Sequence, residues 1–204
     1  MKADPKNKSA MRKLVVISFL TLDGVMQAPG GGDEDTEGGF KYGGWQMPFF
    51  EDVDEAMSED LGKAGALLLG RKTYDIFASY WPTVGKSVER YGAFMNNITK
   101  YIASKTMHKT EWQNSILLEG NVAEAVARLK GEAGKDIYVF GSGDLSQTLM
   151  HQNLIDEYLL MIHPTLLGKG KRLFQQDGPK QDLELLKSKT TKNGVLALTY
   201  KVKS

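Results

Sequence analysis

The sequence predicts a single α/β domain built on a mixed, mostly parallel sheet. Strand-like apolar segments alternate with amphipathic helical segments along most of the chain, as in successive βαβ units. Several strand-like segments are almost continuously apolar, which predicts burial on both faces of the sheet. Asn193-Gly194, between two alternating segments, predicts a C-terminal antiparallel hairpin. A length of 204 residues suits one domain with a proper core.

The composition excludes several classes of protein. The 26 basic and 25 acidic side chains leave a formal charge of +1, which argues against a nucleic-acid binder. The absence of cysteine excludes disulfides, thiolate metal centres and cysteine nucleophiles, and three scattered histidines argue against a histidine metal site. No apolar run reaches the roughly 18 residues of a membrane helix. We therefore expect a cytoplasmic protein with no membrane partner, in which polar residues 1–10 form a flexible arm and residues 11–204 the domain.

The first half of the chain is expected to contain two strand–helix units. A strand over residues 14–20 precedes a glycine-rich, acidic connection over residues 23–44, which is either a mobile functional loop or disordered. Helical spacing of apolar residues then predicts an amphipathic helix (Phe50, Val53, Met57 and Leu61). The second unit is a buried strand over residues 66–69 and a helix that Trp81-Pro82 ends.

The second half is expected to add four strands and two helices. The strands are predicted over residues 100–104, 115–118, 136–140 and 158–162. One helix begins after Asn121, which forms a capping box with Glu124, and Gly131 is its expected C-terminal cap. The other helix follows residue 143 and presents an apolar face (Leu145, Leu149 and Leu154).

Two strand-to-helix junctions have features of phosphate sites. Gly70-Arg71-Lys72-Thr73 combines two cations and a hydroxyl with the unpaired N–H groups of a helix start. Gly141-Ser142-Gly143-Asp144-Leu145 is a second such junction, although Ser146 stands where a dinucleotide fingerprint has its third glycine. An ordinary turn would explain either junction alone, but two such junctions in one chain favour the binding of a dinucleotide. Ser104-Lys105-Thr106 adds hydroxyls and an amine, or is a solvated loop.

The catalytic group is less well defined by the sequence. No Ser-His-Asp frame or metal-ligand spacing is present, and we interpret His108 and His151 as surface residues and His163 as structural. Carboxylates beside the glycine-rich connection are candidate proton donors if burial raises their pKa (Asp23, Glu51, Asp52 and Asp54). A solvated helix face explains the last three equally well.

Taken together, six motifs occur in an order that resembles the dihydrofolate-reductase-like superfamily. They are Thr21-Leu22-Asp23-Gly24, Gly70-Arg71-Lys72-Thr73-Tyr74, Trp81-Pro82, Ser104-Lys105-Thr106, Gly141-Ser142-Gly143-Asp144-Leu145 and Pro164-Thr165-Leu166-Leu167-Gly168-Lys169-Gly170. From about Arg12 to Val202 the chain is most similar to stand-alone proteins related to the reductase domain of the bifunctional riboflavin-biosynthesis deaminase-reductase. The resemblance implies a three-layer fold, NADPH across the carboxyl edge of the strands, and a homodimer.

The resemblance also assigns roles at the cofactor site. Arg71 and Thr73, with Lys72 beside them, would meet the adenosine-side phosphates, while Ser104 and Lys105 would hold the 2′-phosphate and so favour NADPH over NADH. The segment at 141–145 would line the pyrophosphate, and the segment at 18–27 would pass the nicotinamide. The implied cofactor-binding residues are Ser18, Gly24, Gly70, Arg71, Lys72, Thr73, Ser104, Lys105, Gly141, Ser142, Gly143 and Leu145.

The substrate is where the sequence departs from its relatives. Trp45-Gln46-Met47-Pro48-Phe49-Phe50 matches the Trp-x-x-Pro-x-acid signature of dihydrofolate reductases, but Phe50 replaces the acid, which disfavours folate reduction. The zinc ligands of a deaminase half are missing too. We expect a reductase of a small heterocyclic or sugar-linked molecule, with pterin reduction or non-catalytic nucleotide binding as alternatives. Predicted substrate contacts are Gln27, Trp45, Phe49 and Phe50, although the aromatics could simply anchor the following helix.

Overall fold

A computed structural model describes residues 11–84 and 89–203. The arm predicted over residues 1–10 lies outside the described residues. Within them, eight strands form one sheet in the order β4-β3-β2-β5-β1-β6-β8-β7, of which the first six are mutually parallel. Strand β8 runs antiparallel to both β6 and β7. The strands are β1 (Leu14–Thr21), β2 (Ala64–Gly70), β3 (Thr99–Ala103), β4 (Ser115–Leu117), β5 (Asp136–Phe140), β6 (Glu157–His163), β7 (Leu183–Thr190) and β8 (Leu196–Val202).

Helices cover both faces of this sheet. They are α1 (Phe50–Leu61), α2 (Arg71–Tyr80), α3 (Glu89–Asn97), α4 (Val122–Gly131) and α5 (Gly143–His151). Successive side chains of a strand point to opposite faces, so Val15 and Ile17 of β1 join a cluster with residues of α1, α2 and α3. Leu14 and Val16 join the cluster that contains residues of α4 and α5. The three-layer α/β fold, with its mostly parallel sheet and C-terminal antiparallel hairpin, is confirmed.

Most of the predicted helix ends agree with the structure, and a few do not. As predicted, the Asn121 side chain caps α4 by accepting hydrogen bonds from the backbone N–H groups of Ala123 at 2.9 Å and Glu124 at 3.3 Å. Gly131 was expected to cap the other end, but it is the last helical residue, and an extended Glu132 follows it. Leu154 packs with the α5 cluster although that helix ends at His151.

The hairpin turn is longer than the sequence suggests. Strand β7 ends at Thr190 and β8 begins at Leu196, and of Asn193 and Gly194 only the glycine has a positive φ, at 85°. A two-residue type I′ turn needs positive φ at both positions, so the connection is a wider loop. It is closed by the Thr191 hydroxyl, which accepts a hydrogen bond from the N–H of Val195 at 3.0 Å.

Helix α3 was not anticipated. Tyr91, Phe94 and Met95 have helical spacing and pack against the α1–α2 cluster, but Gly92 and the Asn96-Asn97 pair weaken the helical signal. No helix within the described ranges is long and apolar enough to span a bilayer. In the same ranges, no three or more acidic, histidine or cysteine side chains group as they would around a metal ion.

Candidate functional site

A cavity of about 1270 Å³ opens along the carboxyl edge of the sheet. It is lined by the last residues of three neighbouring strands, which are Gly70 of β2, Ala103 of β3 and Phe140 of β5, and it extends to Leu118 beyond β4 and Phe19 of β1. Neighbouring strands lie about 4.8 Å apart, so the path from β4 to β1 is roughly 19 Å long. The cavity therefore suits an elongated ligand lying across the strands.

Two helices begin at the middle of this edge. Helix α2 starts after Gly70 and helix α5 starts after Ser142, and neither has a side-chain cap at its N-terminus. The first N–H groups of an α-helix have no intrahelical partner, and the positive end of the helix dipole lies beside them. Both helix starts line the same cavity, which makes this stretch favourable for phosphate groups.

Ser142 ties the two helix starts together. Its hydroxyl accepts a hydrogen bond from the Gly70 N–H at 2.9 Å and donates to the Phe140 carbonyl at 2.9 Å. Its own N–H donates to the Thr73 hydroxyl oxygen at 3.1 Å, so the Thr73 hydrogen remains to be donated to a ligand. Gly141 has a φ of 56° and Ser142 a φ of 53°, which is unusual for a residue other than glycine. The backbone is thus held in a strained turn at the cavity, with the serine hydroxyl engaged internally.

Cationic side chains flank the helix starts. The Arg71 guanidinium donates from Nη1 to the Thr106 hydroxyl at 2.5 Å and lies 3.4 Å from the Asp75 carboxylate. This contact brings Arg71 beside the turn at Ser104, whose hydroxyl accepts hydrogen bonds from the N–H groups of Thr106 at 3.2 Å and Met107 at 3.0 Å. The residues predicted to bind the cofactor line this cavity with the exception of Gly24, which forms a separate turn with a φ of 83°.

An ion-pair cluster borders the cavity where the glycine-rich connection crosses it. Glu37 pairs with Lys72 at the start of α2 and with Lys171 at 2.6 Å, and Lys171 also pairs with Asp35 at 2.5 Å. The two lysines, Lys171 first, lower the pKa of Glu37 to about 2. The buried Gln27 amide lines the cavity but holds this connection: it donates to the carbonyls of Asp35 at 3.1 Å and Glu37 at 3.0 Å. Hydrogen bonds and ion pairs therefore hold the glycine-rich connection against the edge of the cavity.

Three of the four candidate proton donors, Asp23, Glu51 and Asp52, do not line this cavity. Asp23 accepts hydrogen bonds from the Thr21 hydroxyl at 2.6 Å and the Gly168 N–H at 2.7 Å, and these contacts, Thr21 first, lower its pKa. Asp52 accepts from the N–H of Asn193 at 3.1 Å and from its side-chain amide at 2.7 Å, and hydrogen bonds from Thr191 and Asn193 lower its pKa. Glu51 is exposed on the first turn of α1. The two aspartates hold loops in place.

Another carboxylate of α1 does reach the cavity. Phe50, Val53, Asp54 and Met57 line it together, because residues at i, i+3, i+4 and i+7 share one face of a helix. Asp54 was one of several acids beside the glycine-rich connection in the sequence. Its helical spacing from Phe50 is the signal that singles it out.

The aromatic segment before α1 is divided between cavity and core. Phe50 lines the cavity, with its ring centroid 6.3 Å from that of Tyr91. Trp45 and Phe49 do not line it and instead pack edge-on against the buried His163, at 5.1 and 5.5 Å between ring centroids. The Trp45 indole N–H also donates to the Gln27 carbonyl at 2.8 Å. An anchoring role describes Trp45 and Phe49 better than a cavity wall.

Glu34 is a further acid at the cavity that the sequence did not single out. Its carboxylate accepts hydrogen bonds from the N–H groups of Gly30 at 2.6 Å and Gly31 at 3.1 Å. Burial raises its pKa despite these hydrogen bonds. The glycine-rich connection therefore folds back onto its own acidic segment at the mouth of the cavity.

Comparisons with known proteins agree on one family. The family described as "RibD C-terminal domain" matches residues 12–197. The "Uncharacterized protein YyaP" of Bacillus subtilis (strain 168) is 28% identical over 196 residues, which cover 95% of this chain and 97% of that protein. A solved structure from Shewanella sp. PV-4, whose name assigns it provisionally to riboflavin biosynthesis, has a TM-score of 0.68 at 20% identity and covers 94% of this chain and 99% of its own. A pyrimidine reductase-like protein from Corynebacterium diphtheriae has a TM-score of 0.61 at 15% identity, covering 95% and 92%. At these identities the two structures show a shared fold.

Proposed function

Because the chain belongs to the RibD C-terminal domain family, a family of reductase domains, we propose that it is an NADPH-dependent oxidoreductase. It transfers a hydride from NADPH to a small heterocyclic or sugar-linked substrate, as the reductase step of riboflavin biosynthesis does. The observation that carries this proposal is the meeting of two uncapped helix starts, at α2 and α5, in one elongated cavity. NADPH supplies the hydride when bound, and the protein contributes positioning and electrostatics.

The residues present fit a dinucleotide phosphate. The α2 and α5 starts and the Thr73 hydroxyl offer hydrogen-bond donors at the centre of the cavity, where a pyrophosphate would lie. Gly141 and Gly143 keep the backbone open to such a ligand, since a side chain at Gly141 would stand in a left-handed conformation 3.4 Å from Thr73. Arg71 and Lys105 supply charge at the β3 side, where an adenosine 2′-phosphate would find partners.

Cofactor binding and turnover test the proposal directly. NADPH titrated into the protein should quench tryptophan emission with a saturable curve, and NADH should do so only at higher concentration. With a panel of flat heterocycles and ribosylaminopyrimidines, NADPH absorbance at 340 nm should fall for at least one class. The proposal would be contradicted if neither NADPH nor NADH showed saturable binding.

Two alternatives have distinct signatures. Pterin reduction, weakened by Phe50 at the acid position of the dihydrofolate-reductase signature, would give oxidation of NADPH with dihydrofolate. A non-catalytic nucleotide-binding protein would bind NADPH but would not oxidise it in the presence of any substrate of the panel.

We further propose that the protein is a homodimer. Support for the dimer comes from the family resemblance and from the edge strand β7, on which Leu185 and Leu186 are each about half exposed.

A further inference from the structure

Two lysines at the cavity are held by one carboxylate of the glycine-rich connection. Lys72, on the first turn of α2, and Lys171, beyond β6, both donate hydrogen bonds to the Oε2 atom of Glu37, the second at 2.6 Å. All three side chains line the cavity. Two ammonium groups that converge on one oxygen form the kind of contact that a phosphoryl oxygen makes. The Glu37 carboxylate therefore occupies the cations that an anionic ligand would meet.

We propose that Glu37 is an autoinhibitory residue, whose tethered carboxylate competes with the phosphate groups of a ligand for Lys72 and Lys171. We call residues 35–37 the acidic strap. In the ligand-free protein the strap neutralises the two ammonium groups, and a phosphate-bearing ligand binds by displacing the Glu37 carboxylate. This inference rests on the proposed function, since it takes the ligand of the cavity to be NADPH.

A buried glutamine positions both sides of this contact. The Gln27 side chain is 4% exposed, and its Nε2 donates to the carbonyls of Asp35 at 3.1 Å and Glu37 at 3.0 Å. Its Oε1 accepts a hydrogen bond from the N–H of Lys171 at 3.0 Å. Because one amide fixes the backbone on both sides, the Glu37–Lys171 ion pair orders side chains alone, which costs less conformational entropy than joining two loose segments.

The Glu37 side chain can nevertheless be displaced. It is 58% exposed, so water and salt screen its ion pairs and a ligand can reach them. Gly38 follows it with a φ of 67°, and no heavy atom beyond its chain neighbours lies within 4 Å of the position that a Cβ would take. A change of backbone conformation there meets little steric resistance. Lys171 also pairs with Asp35 at 2.5 Å, which holds its ammonium group at the cavity when Glu37 leaves.

A proton does not release this contact. The hydrogen bond from Lys171, followed by that from Lys72, lowers the pKa of Glu37 to about 2. The carboxylate therefore stays charged at every pH near neutrality, and its hold on the two lysines does not weaken there. Displacement requires a competing anion.

A double-mutant cycle with inorganic pyrophosphate as the probe tests this competition. In calorimetric titrations, Glu37→Gln should bind pyrophosphate at least threefold more tightly than the wild type, because its lysines are no longer neutralised. Lys171→Gln should change the affinity of the wild type less than twofold, because it removes a contact with the ligand and a contact with the competing carboxylate together. In the Glu37→Gln background, the same change should weaken binding at least threefold. Glu132→Gln removes an exposed carboxylate after α4 and should bind as the wild type does.

Several outcomes would overturn the inference. They are an unchanged affinity in Glu37→Gln, equal effects of Lys171→Gln in the two backgrounds, and no binding of pyrophosphate by any of the four proteins of the cycle. An unchanged melting temperature shows that Glu37→Gln is folded, and Glu37→Ser replaces it if the temperature falls.

NADPH titrations of the same proteins judge the proposed function separately. If NADPH binds neither the wild type nor Glu37→Gln, the proposed function fails, and the cycle with pyrophosphate still decides whether Glu37 competes with anions. If NADPH binds the wild type and Glu37→Gln equally and the cycle is additive, the proposed function stands and the inference is wrong.

Discussion

At the scale of single residues, the proposed cofactor site predicts that Arg71 distinguishes NADPH from NADH. Its contact with Thr106 brings the guanidinium beside Ser104 and Lys105, the segment expected to meet the 2′-phosphate that NADPH has and NADH lacks. Arg71→Ala should therefore weaken the binding of NADPH by about 1–3 kcal/mol, the usual loss of one charge-assisted hydrogen bond. The binding of NADH should weaken much less. Fluorescence titration with both cofactors measures the difference. Arg128→Ala removes a cation from the exposed face of α4 and should change neither, whereas equal losses in Arg71→Ala would show that it does not read the 2′-phosphate.

His163 gives a second prediction at this scale. The imidazole is fully buried among the rings of Trp45, Phe49 and Phe19, and its Nδ1 lies 2.9 Å from the Met161 carbonyl and 3.1 Å from that of Leu20. Burial lowers the pKa of His163. The hydrogen bonds to the two carbonyls and the negative charge of Asp52 raise it by smaller amounts.

The consequence for stability follows from proton linkage. A base whose pKa is lower in the folded state takes up its proton more readily when unfolded, so the free energy of unfolding falls as pH drops below about 6.5. One such group contributes a slope of at most about 1.4 kcal/mol per pH unit, which ends once the pH is below the folded pKa. Urea unfolding between pH 7 and 5 should show a shallower fall for His163→Gln than for the wild type. Parallel curves for the two proteins would mean that His163 is not the group responsible.

At the scale of elements, Asp52 couples the start of α1 to the turn between β7 and β8. Its carboxylate receives two hydrogen bonds from Asn193, and Asn193 follows Thr191, which closes the same turn. Asp52→Ala should lower the melting temperature, because the donors of Asn193 lose their acceptor at a buried contact between distant segments. Glu51→Ala, which changes the adjacent exposed carboxylate, should lower it less. A smaller effect of Asp52→Ala than of Glu51→Ala in thermal melts would contradict the coupling.

The same contacts explain how far the sequence could predict this molecule. The buried strands and the cap at Asn121 were predictable because they depend on neighbouring residues: apolar runs, and a side chain that reaches its own helix start. Asp52 and Asp54 differ only in which side of α1 they occupy, and sequence alone does not say that a hairpin turn some 140 residues away holds one while a cavity receives the other. The packing of Trp45 and Phe49 was equally unpredictable, because their partner His163 is also remote in sequence.

Lys100 shows a second limit of sequence reasoning. Lys100 is the first residue of a strand predicted over residues 100–104, and its side chain is completely buried. Its ammonium donates to the carbonyls of Met95 and Ile98, each at 2.8 Å, and lies 4.2 Å from the ring centre of Trp112. Burial lowers its pKa to about 8. The lysine satisfies carbonyl groups at the end of α3, and because the sequence did not predict this helix, the burial of Lys100 was not predictable either.

At the scale of the whole molecule, the two edges of the sheet differ in length and composition. Strand β4 is three residues long, which limits pairing with another chain, whereas β7 is eight residues long and mostly exposed. The β7–β8 register shifts between Leu185 and Lys187, so Leu186 is inserted, and Leu185 and Leu186 are 51% and 49% exposed. Two adjacent exposed leucines on a long edge favour contact with a second copy over contact with water.

This asymmetry predicts which edge forms the dimer. Light scattering on the wild type should give twice the chain mass of 22.6 kDa, and the double variant Leu185→Lys, Leu186→Lys should dissociate, because burying two ammonium groups opposes association. Ile116→Lys changes the half-exposed side chain of β4 at the opposite edge and should leave the mass of the dimer unchanged. Dissociation by Ile116→Lys alone would move the interface to β4. A wild-type mass of 22.6 kDa that does not change with concentration would show that the exposed leucines are covered by no second copy of the chain.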